Sequence, residues 1–346
     1  MGAIDDTPGD TEFEFDRDVV IVGGGPAGCS AGVFCARDGL ETLIYDRGRS
    51  SIRRCAYLEN YLGFPAGIDV ETLYELYHDH AETAGCEIRA DLVESVERRD
   101  GEGFRLTPQE GDPVTARRVI AATRYDGEYL RGLDDAMFET HVYDGEERER
   151  FDREYPDRDG STPIEGLYVA SPSAEADMQA IAAAGRGARV ARRAIADARI
   201  DEGWWEAVAA GVDWVRRDAE RDGEWTDRDR WVEHFDEHYG ADAPVDPASD
   251  RYRRVREASI DESLASYISP AEIETRTATG HERLASHLDP ERVVAALPTD
   301  ALLESVPDED LLAAAAAIES GGSDATSETD GSAGAVESTG PAEEVD

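Results

Sequence analysis

The chain has 346 residues, and its 78 acidic residues outnumber 35 Lys and Arg residues, so the formal net charge is −43. All 35 are Arg, and Lys is absent. A surface this acidic repels nucleic acid and anionic membranes, and we expect neither as a partner. The charge predicts instead a cytoplasmic protein from a high-salt cell, because the Debye length falls to about 3 Å at 1 M and self-repulsion is then screened.

The termini and the cysteines exclude several further classes of protein. No run approaches the roughly 20 apolar residues that span a bilayer, and residues 1–16 show no secretory signal pattern. The four cysteines form no CxxC pair and no zinc-type Cys/His pattern, so we expect neither a disulfide scaffold nor a metal site. The sequence leaves the oligomeric state open, a homodimer included.

Composition divides the chain into four stretches. Residues 1–16 predict a disordered acidic leader, and 319–346 a disordered acidic tail that has too few large apolar groups to order itself. Residues 17–200 alternate strand and helix patterns, which predicts an α/β domain. Residues 201–318 predict an all-α region. In its last part, Pro followed by acidic residues marks the starts of three short helices.

The first chemical motif lies at the start of the α/β domain. A buried-strand pattern over Asp18–Val22 ends in a glycine turn of six residues, Gly23, Gly24, Gly25, Pro26, Ala27 and Gly28. A helical pattern follows, and then a second strand, Glu41–Tyr45, which ends at Asp46. Strand, turn, helix, strand and acid within about thirty residues are typical of a dinucleotide-binding βαβ unit.

Each position of that motif has a physical role. Gly23 permits the tight turn, Gly25 lets the backbone approach a pyrophosphate, and Gly28 lets the helix pack on the strand. The helix N-terminus supplies N–H groups and a positive dipole end to the phosphates. Asp46 can accept hydrogen bonds from ribose hydroxyls. The motif therefore predicts a nucleotide site, without separating FAD from NAD.

Later segments resemble the thioredoxin-reductase-like flavoproteins, in the order that this family has them. Tyr57–Ile68 is similar to the family's ENYPGFPEGI segment, and an amphipathic helix (70–84) and a strand near 86–93 follow as they do in the family. Arg118–Thr123 resembles the strand ending in ATG, and Glu165–Ala170 resembles the strand of the closing FAD motif. Gln179–Ala188 resembles the helix QA…AAGxGxxA. The resemblance covers about residues 17–200.

The resemblance implies a Rossmann-type FAD-binding domain, a parallel sheet with helices, and FAD as the cofactor. It implies FAD contacts at the glycine turn (Gly23–Gly28), Asp46, Asn60, the backbone near Val93, Ala122, Thr123, Gln179 and Ala180. It also implies that the helix after Gln179 points its N-terminus at the flavin ring, where its dipole favours an anionic reduced flavin.

The chain departs from the family in three places. Only Arg124 to Pro163 separate the two FAD segments, which is too short for the family's inserted NAD(P)H domain. The family's ATG glycine is Arg124, which either binds a phosphate or substrate anion or reflects drift after loss of that domain. The family's GD pair is Ser171-Pro172, and Glu175 or Asp177 either replaces the missing acid or is an ordinary helix-start acid.

Among the remaining candidates, Cys55 is the one that we consider for redox chemistry. Arg53 and Arg54 precede it, and neighbouring cations favour a thiolate, although a lone cysteine is more often a packing residue. Cys29 and Cys35 are expected in the core. His78 and His80 do not share a helix face, so we expect no metal between them.

Two hypotheses follow from these observations. The first is an FAD-dependent oxidoreductase without the CxxC dithiol or the NAD(P)H domain, reduced by a redox carrier protein or by a diffusing reductant. It would not be a true thioredoxin reductase. The second is a degenerate, non-catalytic nucleotide-binding or protein-interaction protein.

Overall fold

The computed structural model describes residues 14–99, 102–124, 127–143, 145–174, 178–241 and 243–321. Its strands are β1 (Arg17–Val22), β2 (Thr42–Tyr45), β3 (Tyr57–Leu58), β4 (Ile68–Asp69), β5 (Glu87–Arg89), β6 (Val93–Arg98), β7 (Phe104–Pro108), β8 (Val114–Ala122), β9 (Phe138–Tyr143), β10 (Glu146–Phe151), β11 (Leu167–Ser171), β12 (Arg216–Arg217) and β13 (Tyr267–Ile268). Its helices are α1 (Pro26–Arg37), α2 (Val70–Ala84), α3 (Ala180–Asp201), α4 (Glu206–Ala209), α5 (Arg228–Tyr239), α6 (Asp250–Ala265), α7 (Pro270–Ala285), α8 (Pro290–Ala296), α9 (Thr299–Ser305) and α10 (Asp308–Gly321).

A seven-stranded mixed sheet organises the α/β part. Its parallel strands lie in the order β5-β2-β1-β8-β11, and β6 and β7 add an antiparallel extension to the first half of β8. The carboxyl ends of β1, β2, β8 and β11 therefore meet at one edge of the sheet, which is where such folds bind nucleotides. The predicted Rossmann-type α/β fold is confirmed.

Strand β1 is apolar throughout because both of its faces are covered. Val19 and Ile21 pack towards α1 and α3, while Val20 and Val22 face the β6–β7 side and the segment around Tyr129. Helices α1 and α3 lie in direct contact, since a Cβ on Gly187 would overlap the backbone of Ala27. This close contact fixes α3 against the first turn of α1.

The segment between β8 and β11 contains an antiparallel hairpin, β9–β10, which the sequence did not predict. Arg131 and Arg150 pair with acidic side chains on this hairpin, and Phe151, the last residue of β10, is buried. In the described residues of this segment, no βαβ unit is present.

Residues 201–268 form a small helical layer centred on aromatic packing. Trp205 stacks on Tyr252, with ring centroids 5.5 Å apart, and Phe235 packs edge-on against both. The two-residue strands β12 and β13 pair in parallel here, which is a small departure from the predicted all-α region. Arg199 joins this layer to the α/β part by bonding Asp38 and Glu262.

The chain divides into two compact units, 1–287 and 288–346. The described part of the second unit consists of α8, α9 and α10, which begin where the three short helices were predicted. Their apolar side chains are largely exposed, including Val294 at 52%, Leu303 at 53% and Leu312 at 71%. The predicted leader (1–16) and tail (319–346) lie outside the described residues except for 14–16 and 319–321. Within the described ranges, each helix is too short or too polar to cross a bilayer.

Candidate functional site

An open cavity lies at the carboxyl edge of the parallel strands. Eleven of the predicted cofactor residues line it: Gly23, Gly24, Gly25, Pro26, Ala27, Asp46, Val93, Ala122, Thr123, Gln179 and Ala180. Two predicted residues do not line it. Gly28 lies behind the turn against Gly23, and Asn60 lies beside the cavity and bonds Gln179. Segments up to 157 residues apart in the sequence, from Gly23 to Ala180, therefore meet at one place, as the resemblance implied.

The glycine turn packs so closely that side chains would not fit. Gly23 has φ of +115°, and a Cβ there would lie 2.7 Å from the Ala122 carbonyl oxygen. A Cβ on Gly24 would lie 2.8 Å from the Asp46 Oδ2 atom, and one on Gly28 would overlap the Gly23 carbonyl oxygen. The turn is thus a bare backbone surface, pressed on one side against Asp46 and open to the cavity on the other.

Asp46 is buried and its carboxylate is already hydrogen-bonded. Oδ1 accepts from the Gly48 N–H at 2.9 Å, while Oδ2 accepts from the Tyr74 hydroxyl and lies 3.0 Å from Nε2 of His78. Burial acts to raise the pKa of Asp46, but the hydrogen bonds from His78, Tyr74 and Gly48 outweigh it and hold that pKa below its ordinary value. Asp46 is therefore an ionised acceptor with part of its capacity left for a ligand hydroxyl.

His78 links the acid to the glycine turn. Its Nε2 atom lies between Asp46 Oδ2 and the Gly24 carbonyl oxygen, which is 3.2 Å away. The hydrogen bond to Asp46 raises the pKa of His78 against the opposing effect of burial. Sequence reasoning missed His78 and Tyr74 in this place. Their spacing of four places Tyr74 and His78 on one face of α2, but no sequence pattern near them indicates that Asp46 is their partner.

The opposite wall of the cavity is the N-terminus of α3. Gln179 precedes the helix, and its Oε1 atom accepts a hydrogen bond from the Asn60 side-chain amide at 2.8 Å. Among the α-helices of the described residues, α1 and α3 alone have no acidic residue in their first turn, and both begin at the cavity. Two positive dipole ends therefore face the cavity without an acid of the first turn beside them, which favours an anionic ligand.

Arginines line the cavity despite the acidity of the chain. Arg47, Arg49 and Arg124 contribute to its wall. Arg124 reaches across it, with Nη1 at 3.4 Å from the Ser51 hydroxyl and Nη2 at 3.1 Å from the Met178 sulfur. Asp91 also lines the cavity, and both of its carboxylate oxygens already accept hydrogen bonds from the backbone N–H groups of 92, 110 and 111. The resulting lining suits a ligand with negative charge.

The cysteines fall into two groups. Cys29, Cys35 and Cys86 are buried, and burial raises the pKa of the Cys86 thiol to about 12. The expected core positions of Cys29 and Cys35 are thus confirmed. Cys55 is exposed and lines the cavity. Across the described residues, we find no cluster of three or more His, Cys, Asp or Glu side chains placed to hold a metal ion.

The closing segment keeps part of the pattern that the resemblance implied. Ser171 ends β11 beside Ala122 and lines the cavity. No acid occupies this position, and Glu175 and Asp177, the alternative acids, lie outside the described residues.

Comparison with known proteins agrees with the geometry. Residues 17–129 match the family model "Pyridine nucleotide-disulphide oxidoreductase". The chain is 34% identical over 118 residues to the bifunctional thioredoxin reductase/thioredoxin of Mycobacterium leprae, an alignment covering 33% of this chain and 25% of that protein. It is 32% identical over 108 residues to the thioredoxin reductase of Bacillus subtilis, covering 30% and 33%. The matched segments thus span between a quarter and a third of these relatives.

The resemblance to thioredoxin-reductase-like flavoproteins is confirmed for this segment, and FAD is the cofactor of the matched family. A solved thioredoxin reductase from Gloeobacter violaceus superposes over 58% of this chain and 98% of its own, with 17% identity and a TM-score of 0.46.

The residues present fit a dinucleotide such as FAD. The glycine turn is a cradle that a Cβ would fill, two helix N-termini face the cavity, and Asp46 lies at the end of β2. The feature that fits least well is Arg124, because its side chain reaches Ser51 and Met178, which also line the cavity.

Proposed function

We propose that this chain is an FAD-dependent oxidoreductase of reduced architecture, whose cavity holds FAD and whose electrons come from a redox carrier protein. The observation that carries the proposal is the continuous cavity from the glycine turn to the N-terminus of α3. Bound there, FAD would supply the electron-transfer chemistry that side chains lack.

The chain's own residues bind and orient the cofactor in this proposal. The N–H groups at the start of α1 bind its pyrophosphate, as helix N-termini do, and Asp46 accepts from a ribose hydroxyl. Asn60 and Gln179, which bond each other, lie at the opposite end beside α3 and would bind the ring. The α3 dipole stabilises negative charge that develops there on reduction.

The source of electrons follows from what separates β8 from β11. That segment has a hairpin and short turns in its described part, and it is shorter than two βαβ units. The chain also has no CxxC pair. We therefore propose that it is not a thioredoxin reductase in its own right and that NADPH does not reduce its flavin.

An anaerobic reduction experiment tests this assignment. FAD-loaded protein is mixed with NADPH, with NADH and with dithionite, and the absorbance of oxidised flavin is followed. We expect bleaching by dithionite and no bleaching by either nicotinamide above the rate of free FAD. Rapid, stoichiometric bleaching by NADPH would contradict the proposal and show that the chain is a reductase that uses pyridine nucleotides.

A second candidate is a non-catalytic nucleotide-binding or protein-interaction protein, and the position of Arg124 favours it. The contacts of Arg124 with Ser51 and Met178 cross the cavity next to Gln179. If these contacts persist, the cavity accepts only the ADP half of the cofactor. Equal affinity for ADP and FAD would then be the result that distinguishes this candidate, because the ring half would add nothing.

The acidic composition completes the proposal. A net charge of −43 with Arg as the sole basic residue besides His fits a high-salt cytoplasm, where screening relieves self-repulsion. Titrating KCl while following circular dichroism tests this, and we expect the native signal to strengthen with salt.

A further inference from the structure

Helix α2 brings a histidine to the acid that the proposed function places at the ribose. His78 Nε2 is 3.0 Å from Asp46 Oδ2 and 3.2 Å from the Gly24 carbonyl oxygen. Gly24 belongs to the turn that would bind the pyrophosphate. One imidazole therefore contacts both the ribose-binding acid and the phosphate-binding turn.

We propose that His78 is a positioning residue that couples the protonation state of the chain to its affinity for the nucleotide. Protonated His78 neutralises Asp46 beside the turn, and the anionic pyrophosphate then binds without repulsion from that carboxylate. Neutral His78 still donates through Nε2 but leaves the negative charge of Asp46 in place. The inference rests on the proposed nucleotide site.

The groups around His78 indicate that its charge acts mainly on Asp46. Asp46 faces it from the end of β2, and Glu82 acts on it from its own helix. Tyr74 packs beside its ring with centroids 4.6 Å apart, and Arg53 lies 4.4 Å over the ring of Tyr74. From α1, Cys29 lies near Asp46, and its thiol is neutral because burial raises its pKa.

The direction of the pH dependence follows from these contacts. The hydrogen bond to Asp46 raises the pKa of His78, so the charged form persists to higher pH than in an isolated histidine. As pH rises through this raised pKa, the positive charge is lost and the affinity for an anionic nucleotide falls. By linkage, a bound nucleotide must raise the pKa of His78 further.

Only one oxygen of the Asp46 carboxylate has room to accept a hydrogen bond from a ribose hydroxyl. Oδ2 is occupied by Tyr74 and His78, whereas Oδ1 has one backbone donor from Gly48. A ligand hydroxyl therefore approaches Oδ1, and His78 keeps the carboxylate in the orientation that exposes this atom. His78→Gln retains an N–H donor but cannot carry the charge, which separates the two roles.

The experiment measures dissociation constants of FAD and of ADP between about pH 6 and about pH 9, a range that spans histidine titration. It uses the full chain in the lowest KCl concentration that keeps the native circular dichroism. The variants are His78→Gln and, as a matched control on the same helix, His80→Gln. His80 is exposed, lies near Arg37 and is not among the groups that act on Asp46.

We expect the dissociation constants of the parent and of His80→Gln to rise by at least about fivefold with pH, the lower end of typical site couplings. Those of His78→Gln should stay level at the weaker, high-pH value. A pH dependence that persists unchanged in His78→Gln, or is missing in the parent, overturns the inference and leaves the proposed function intact. Binding of neither FAD nor ADP at any pH overturns both.

A second measurement covers the case in which His78→Gln fails to fold. The chain has seven histidines, and the His78 ring signal can be assigned by NMR from its shift in Tyr74→Phe or by its proximity to the Tyr74 ring. Saturation with ADP should raise the measured pKa of His78. An unchanged or lowered pKa in the complex contradicts the coupling.

Discussion

Asn60 donates a hydrogen bond to Gln179, at 2.8 Å across 119 residues of sequence. The first residue belongs to the ENYPGFP-like segment and the second precedes α3. Each was expected at the flavin because of its own motif, and the structure brings the two into direct contact beside the same cavity. The cavity therefore has two ends of different chemistry, the glycine turn at one and this amide pair at the other.

Alanine substitutions in the glycine turn should separate its role in folding from its role in binding FAD. Gly28→Ala places a Cβ on the Gly23 carbonyl oxygen, so the backbone must shift, and we expect a loss of about 1–3 kcal/mol in unfolding free energy. Gly25→Ala meets only the movable Ser50 hydroxyl, at 2.6 Å, and should leave stability nearly unchanged while weakening FAD binding. Urea unfolding and FAD titration measure the two effects. A Gly25→Ala protein that binds FAD normally would place the pyrophosphate elsewhere.

Arg124 should oppose the binding of FAD. Its contacts with Ser51 and Met178 cross the cavity and must be broken when a cofactor enters. Because each of the two contacts contributes roughly 0.5–1.5 kcal/mol, Arg124→Gly should tighten FAD binding by about 5- to 150-fold. Arg158→Gly is a control outside the cavity lining. Weaker binding by Arg124→Gly would show instead that the guanidinium binds the cofactor or another anion.

Thiol labelling tests where the cavity lies. Of the four cysteines, Cys55 is exposed and lines the cavity, and the others are buried. A colorimetric thiol reagent should therefore modify one thiol rapidly in the native protein and all four after unfolding. Saturating FAD should slow the rapid modification, and Cys55→Ser should abolish it. Labelling of Cys55 at the same rate with and without bound FAD would mean that the cofactor does not bind beside Cys55.

The Asp46 cluster should make the chain less stable in acid. The pKa of Asp46 is lowered in the fold, so its contribution is present above the ordinary value of 3.8 and is lost as pH falls through the lowered pKa. Asp46→Asn should unfold about 1–3 kcal/mol more easily near neutral pH. The difference from the parent should shrink as the parent's carboxylate is protonated. A difference that stays constant with pH would mean that packing, not charge, holds Asp46.

The nucleotide turn could be predicted because its determinants are local. The strand, the glycines and Asp46 lie within about thirty residues of one another. A Cβ on Gly23 or Gly28 would clash with neighbouring backbone atoms, so the glycines themselves indicate the tight turn. The pairing of Asn60 with Gln179 is a contact between distant segments, and only the resemblance to a family placed both at one site.

The rest depends on tertiary contacts that no local pattern contains. The periodicity of α2 predicts its bounds, yet it does not say that His78 turns inward to Asp46 while its neighbour Asp79 turns outward to Arg283. Similarly, the sequence shows that Arg124 replaces a glycine, but its reach to Met178 follows from where α3 begins.

The most direct test of the account is the visible absorption spectrum of the purified chain, prepared in molar KCl and titrated with FAD. We predict saturable uptake of one FAD per chain, with the perturbed spectrum of a bound flavin, and weaker uptake by Gly25→Ala. A natively folded chain that takes up no FAD at tens of micromolar would contradict the central claim.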